Sequence, residues 1–268
     1  MLFRSSKQLR GSGFVARDAK GWRVQRTNVS LGDARLALDG TLHETIDARW
    51  SLQAPSLQTL LPQARGNVAF TGTAQGLVKT PRVTANLHAE GLRYETWQVA
   101  QLDMEADVDA AGNNPSRLSL RAQRAGQHEP MISSLRITGD GVARDHRLNV
   151  EVTGIADTAT AAAPHAVLEI AGSYVDTTWS GAVQATDIRD GRKTGERLVM
   201  NEAANIVIAR DRASLDKLCI ALGKGQFCAD GKWQRNGPWE GTLSGYEVPL
   251  AALLPRSEEH TSELQSPI

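Results

Sequence analysis

From Gly11 onward, apolar residues recur at every second position in short runs, with polar residues between them. Val83, Ala85, Leu87 and Ala89 alternate with Arg82, Thr84, Asn86, His88 and Glu90, and Leu102, Met104, Ala106 and Val108 with Asp103, Glu105, Asp107 and Asp109. A period of two is the mark of a strand with one face buried and one wet. Gly, Asn, Asp and Pro cluster between the runs, at 112–115, 126–130, 139–141, 154 and 190–191, and supply the backbone angles of tight turns. Ala156 to Pro164, ADTATAAAP, reads as a low-complexity loop. The stretches 166–173, 179–188, 198–209 and 215–222 alternate less strictly but remain strand-like.

Only two segments carry helical spacing. Leu57, Leu60 and Leu61, and again Leu250, Leu253 and Leu254, fall at i, i+3 and i+4, enough for about one and a half turns before a proline ends each. Two such stubs cannot cover the apolar face of about a dozen strands. That face must meet another sheet, the same sheet curled on itself, or a ligand.

The two stubs belong to a longer echo. LGDARLALDGTL (Leu31 to Leu42) and LGKGQFCADGKW (Leu222 to Trp233) match at an offset of 191, and PSLQTLLP and VPLAALLP follow them at an offset of 193. Copies near 22–62 and 213–255 imply a repeat architecture in which units stack on one another. The expected organisation is one repetitive β unit over 1–255, which the family resemblance given below implies is a trough, followed by a non-native tail over 256–268. That tail, RSEEHTSELQS and its neighbours, reads like a translated sequencing adapter, so a natural chain would continue past Pro255 and the protein is expected to be a fragment.

Composition narrows function. With 30 basic and 30 acidic residues among 268, no nucleic-acid footprint is visible, and no run approaches the length of an apolar membrane span. The histidines at 43, 88, 128, 146 and 165 are scattered, and no HExxH, GxSxG or Walker-type motif occurs. The alternating acids Asp103, Asp107 and Asp109 with Asn113 lack the ligand order of a calcium loop, and six tryptophans placed at expected strand ends form no sugar platform. Neither catalytic residues, nor a metal site, nor a cofactor is expected. A turn centred on Gly223 and Lys224 sets Cys219 opposite Cys228 on the polar face; these are either a cross-strand disulfide or two unlinked thiols.

The succession LGDARLALDGTL, the run ARWSLQAPSLQTLLPQARGNVAFTGTAQGLVKTPRVTANLHAEGLRYETWQVAQLDMEADVD, and LDKLCIALGKGQFCADGKW with WEGTLSGYEVPLAALLP resemble the middle of the TamB family. The resemblance implies a long sheet folded into a taco-like trough and a phospholipid path toward the outer membrane. It also implies a periplasmic location, an inner-membrane anchor supplied by an N-terminal segment missing here, and the outer-membrane barrel TamA as partner. The strand pattern agrees with a groove for phospholipid acyl chains. Its expected lining is Val68, Phe70, Val83, Leu87, Leu102, Met104, Val108, Leu118, Leu120, Leu135, Ile137, Leu148, Val150, Val152, Leu168, Ile170, Val183, Leu218, Ile220 and Phe227. Two alternatives stay open: a closed β core acting as a scaffold, and a chaperone that holds nascent outer-membrane strands by β-augmentation.

Overall fold

The computed structural model describes residues 8–19, 21–129, 131–156, 162–189, 197–222 and 224–247. The 190–191 turn, most of the 156–164 loop, the second leucine stub and the tail lie outside them.

Among the described residues, seventeen strands form one sheet. They are β1 (Leu9–Asp18), β2 (Gly21–Leu31), β3 (Ala34–Leu42), β4 (Thr45–Ala54), β5 (Ala64–Leu77) and β6 (Thr80–Tyr94). Then come β7 (Trp97–Asp109), β8 (Ser116–Gln127), β9 (Ile132–Val142), β10 (Asp145–Gly154), β11 (His165–Val175) and β12 (Thr178–Arg189). The last are β13 (Arg197–Val199), β14 (Ala204–Ile208), β15 (Arg212–Leu222), β16 (Gly225–Gln234) and β17 (Glu240–Tyr246). Each of β1 to β12 pairs antiparallel with the next in chain order. β13 and β14 share one place between β12 and β15, and β15 to β17 complete the meander. Sixteen rungs at ~4.8 Å make a sheet roughly 70 Å long.

The single run expected at 198–209 is thus two short strands. Around the interruption, Met200 and Ala204 are buried with Ala185 against Leu168, Ile188, Leu215 and Leu218. Of the two stubs, only Leu57–Thr59 is described, and it is a 3-10 turn rather than one and a half α-turns. The buried Thr59 hydroxyl donates to Asp33 Oδ1 at 2.5 Å, tying the stub to the β2–β3 turn.

No large side chain among the described residues is fully buried; the buried apolar positions are alanines, Met200 and Cys219. A sandwich would sink its Leu, Ile and Phe completely between two layers. One face is therefore left open, and the sheet curls into a trough. Bulges help it bend, since an extra residue kinks a strand and adds twist. The register shifts at Gly66, where φ is 104°, and the neighbouring Gly91 has φ 60°. A Cβ on Gly66 would lie 2.6 Å from the Glu90 carbonyl oxygen, so this crease needs glycine.

Candidate functional site: the apolar face of the trough

Residues directly opposed in a ladder share a face, so the registers can be followed from strand to strand. One row runs Val29, Leu36, Leu52, Phe70, Leu87, Met104, Leu120, Ile137, Val150, Leu168. A second, on the same face, runs Ala54, Val68, Ala89, Leu102, Ala122, Leu135, Val152, Ala166, Ile188, Leu198. A third runs Leu38, Trp50, Gly72, Ala85, Ala106, Leu118, Gly139, Leu148, Ile170, Val183, Ala204. No charged residue interrupts any of them.

The first row is a ridge of large side chains; the third is low at Ala85 and Ala106, over β6 and β7. In the second, Ala54 and Ala89 sink to 1% and 0% exposure between larger neighbours. The structure places all twenty expected lining residues on this one face. Val83 joins Val108 across the β6–β7 ladder. Leu218, Ile220 and Phe227 continue the face on β15 and β16, beyond a bulge at Lys217.

The pattern in the sequence did not reveal several contributors. Val29, Leu36 and Leu52 lie on the row; a bulge at Arg26, where φ is 46°, breaks the period of two ahead of Val29 in β2, whereas β3 and β4 pair without a shift. Trp50 sits in mid-strand rather than at a strand end. Its ring lies over Gly72, where an added Cβ would come within 2.3 Å of it, and its centroid is 5.9 Å from that of Phe70. Trp179 covers Gly172 in the same manner and donates its indole N–H to His146 Nε2 at 2.8 Å. The Gly–Trp pairs are the signal that could have found both.

The other face is polar. Its central row reads Asn28, Ala37, Ser51, Thr71, Asn86, Glu105, Ser119, Thr138, Asn149, Glu169, Gln184. Cross-strand pairs knit it together. Arg82 donates from Nε and Nη2 to the two oxygens of Asp107 at 2.8 and 2.7 Å, which holds the Asp107 carboxyl below its usual range. His88 Nδ1 lies 2.6 Å from Asp103 Oδ1, and that hydrogen bond raises the imidazole and lowers the carboxyl. Asp109 caps the β7–β8 turn, accepting from the backbone N–H groups of Ala111, Asn113 and Asn114, and these bonds keep its carboxyl low. Cys219 and Cys228 are opposite partners joined by a disulfide, with Cα atoms 4.1 Å apart. Among the described residues no group of three or more His, Cys, Asp or Glu is placed to hold a metal.

An open repetitive β-trough with one continuous apolar face defines the class. Within it, this chain belongs to the TamB family: residues 5–259 match the family model described as TamB, N-terminal domain. The resemblance to the middle of that family is thereby refined to its N-terminal domain. No solved structure matches the chain.

Proposed function

We propose that the trough carries phospholipid acyl chains along its apolar face, as a periplasmic segment of a bridge toward the outer membrane. In this reading the chain has no enzymatic role. An anchor holds the protein at the inner membrane, and TamA is the outer-membrane partner. The observation that carries the reading is the first row, Val29 to Leu168, uncharged and uninterrupted across ten strands. Each methylene moved from water onto such a surface is worth ~0.8 kcal/mol. Because neighbouring rungs offer nearly the same lining, a chain that advances by one rung exchanges one apolar contact for another and meets no deep trap. Beside the ridge, Ala85 and Ala106 keep the lining low over β6 and β7, next to the Trp50 ring that covers Gly72.

Val150 and Asn149 test this, since they are adjacent and face opposite ways. Val150→Asp puts a charge on the apolar row, where burial beside lipid is costly; Asn149→Asp adds one to a face that already holds Glu169 opposite it. Lipid transfer is expected to fail with Val150→Asp and to persist with Asn149→Asp. Equal effects of the two changes contradict the assignment of faces. The chaperone reading draws on a different feature, β17, which among the described residues has a ladder partner on one side only and is exposed along its length.

A further inference from the structure

We propose that the polar face of β1 to β4 carries a groove that binds a linear polyanion, independently of whatever occupies the trough. Three successive polar rows build it. Arg10, Ser30, Arg35 and Gln53 are opposed partners in the first. Ser12, Asn28, Ala37 and Ser51 form the second, and Arg49 opposes Asp39 in the third, beside the bulged Arg26. The first two rows line a concavity of about 520 Å³, and a smaller one, sharing Asn28, Ala37 and Ser51, continues past Arg26, Asp39 and Arg49.

The backbone explains why a groove forms here. One extra residue in β2, between Val24 and Thr27, shifts the register against both neighbours, β1 (between Ser12 and Phe14) and β3, and kinks the sheet at this level. Ala37, the smallest side chain of the middle row, leaves the floor low.

The chemistry is that of an anion site. Four guanidinium groups line the two concavities against one carboxylate, and Asp39 is already engaged, its Oδ2 accepting the Arg26 backbone N–H at 2.9 Å. Among the described residues none of the four arginines has a carboxylate within ion-pair distance, whereas Arg82 on the same face is held by Asp107. Serine hydroxyls and the amides of Asn28 and Gln53 supply further donors. Arg35 and Asp39 are four residues apart on β3, so the Arg10/Arg35 and Arg26/Arg49 pairs stand ~13 Å apart along the strands. A ligand that uses both pairs must carry anionic groups over that length.

The internal copy supplies a contrast. At the positions equivalent to Asn28, Ala37, Arg35 and Arg49 it has Cys219, Cys228, Gln226 and Thr242, so a disulfide occupies the floor and two cations are gone.

The test is binding of inorganic polyphosphate of about fifteen units to the full chain, with pyrophosphate as a ligand too short to bridge both pairs. Polyphosphate is expected to bind with an affinity that falls as salt rises. The Arg35→Gln/Arg49→Gln variant should lose about tenfold or more, because each guanidinium contributes charge-assisted bonds to the anion. Arg136→Gln, on the same face outside the groove, should bind as the parent does, and pyrophosphate should bind weakly to all. All the substituted arginines are exposed, so the variants are expected to fold, and unchanged melting would verify this. Equal weakening by Arg136→Gln, no loss in the double variant, or binding to phosphatidylglycerol vesicles in place of polyphosphate would overturn the proposal.

Discussion

Arg26 and Lys217 occupy the same place in two hairpins 191 residues apart, and both are left-handed, with φ 46° and 43°. Each is the extra residue of a bulge, opposite Gly40 to Leu38 in one hairpin and Gly231 to Ala229 in the other. Each bulge returns the next residue, Thr27 or Leu218, to the apolar face. Left-handed backbone costs an L-residue roughly 1–2 kcal/mol. Lys217→Gly should therefore keep or raise the melting temperature, and Lys217→Val should lower it. A melting temperature unchanged by valine would show that the bulge is not formed in solution.

Reduction of Cys219–Cys228 should act locally. The bridge closes a loop of about ten residues and contributes ~2–3 kcal/mol. Its counterparts Asn28 and Ala37 pair without a covalent link, so the hairpin geometry does not depend on it. Hydrogen exchange after reduction should accelerate in β15 to β17 and stay unchanged in β5 to β8, which share no ladder with them.

Gly72→Ala should disturb the trough floor more than its single methyl suggests. The added carbon would meet the Trp50 ring at 2.3 Å and the Thr84 carbonyl at 2.5 Å. Trp50 must then leave Phe70, and tryptophan emission should shift with a fall in stability. The same change at Gly76, where a Cβ meets nothing within 4 Å, leaves the ring in place.

The His88–Asp103 pair sets a pH window. The imidazole is raised from 6.5 and the carboxyl lowered from 3.8. The histidine's contribution is fully present below its unfolded value and fades as pH rises through the raised one. That of the aspartate is present above its unfolded value and fades as pH falls through the lowered one. NMR titration should place the His88 imidazole above 6.5, and Asp103→Asn should bring it down; an unshifted imidazole would mean the contact is not populated.

Much of this was legible in the sequence wherever strands alternate without interruption. From Val68 to Val152 the apolar positions mark the face directly, because a regular strand sends every second side chain to the same side. Bulges defeat that rule: at Arg26 and Lys217 an inserted residue shifts the parity, and the apolar row continues where simple counting puts it on the polar side. The interruption between β13 and β14 was hidden for a related reason, since Met200 reads as a strand residue although it lies between the two strands, buried beside Ala204 at the start of β14. The floor contacts of Trp50 depend on a glycine twenty-two residues away, which local spacing does not reveal. The groove among Arg10, Arg26, Arg35 and Arg49 arises from strand curvature, so scattered arginines gave no sign of it.

The central claim is that the apolar face is open and meets lipid. It is tested most directly by photocrosslinking in membrane-containing cells, with the probe placed at Ile137 or at Arg136. Ile137 lies opposite Leu120 and Val150 on the apolar row, and Arg136 lies opposite Arg121 and Glu151 on the polar face. Phospholipid adducts at Ile137 and none at Arg136 are the predicted result. Adducts only to protein at Ile137, with lipid at neither position, would contradict the account and mean that the trough is closed or filled by polypeptide.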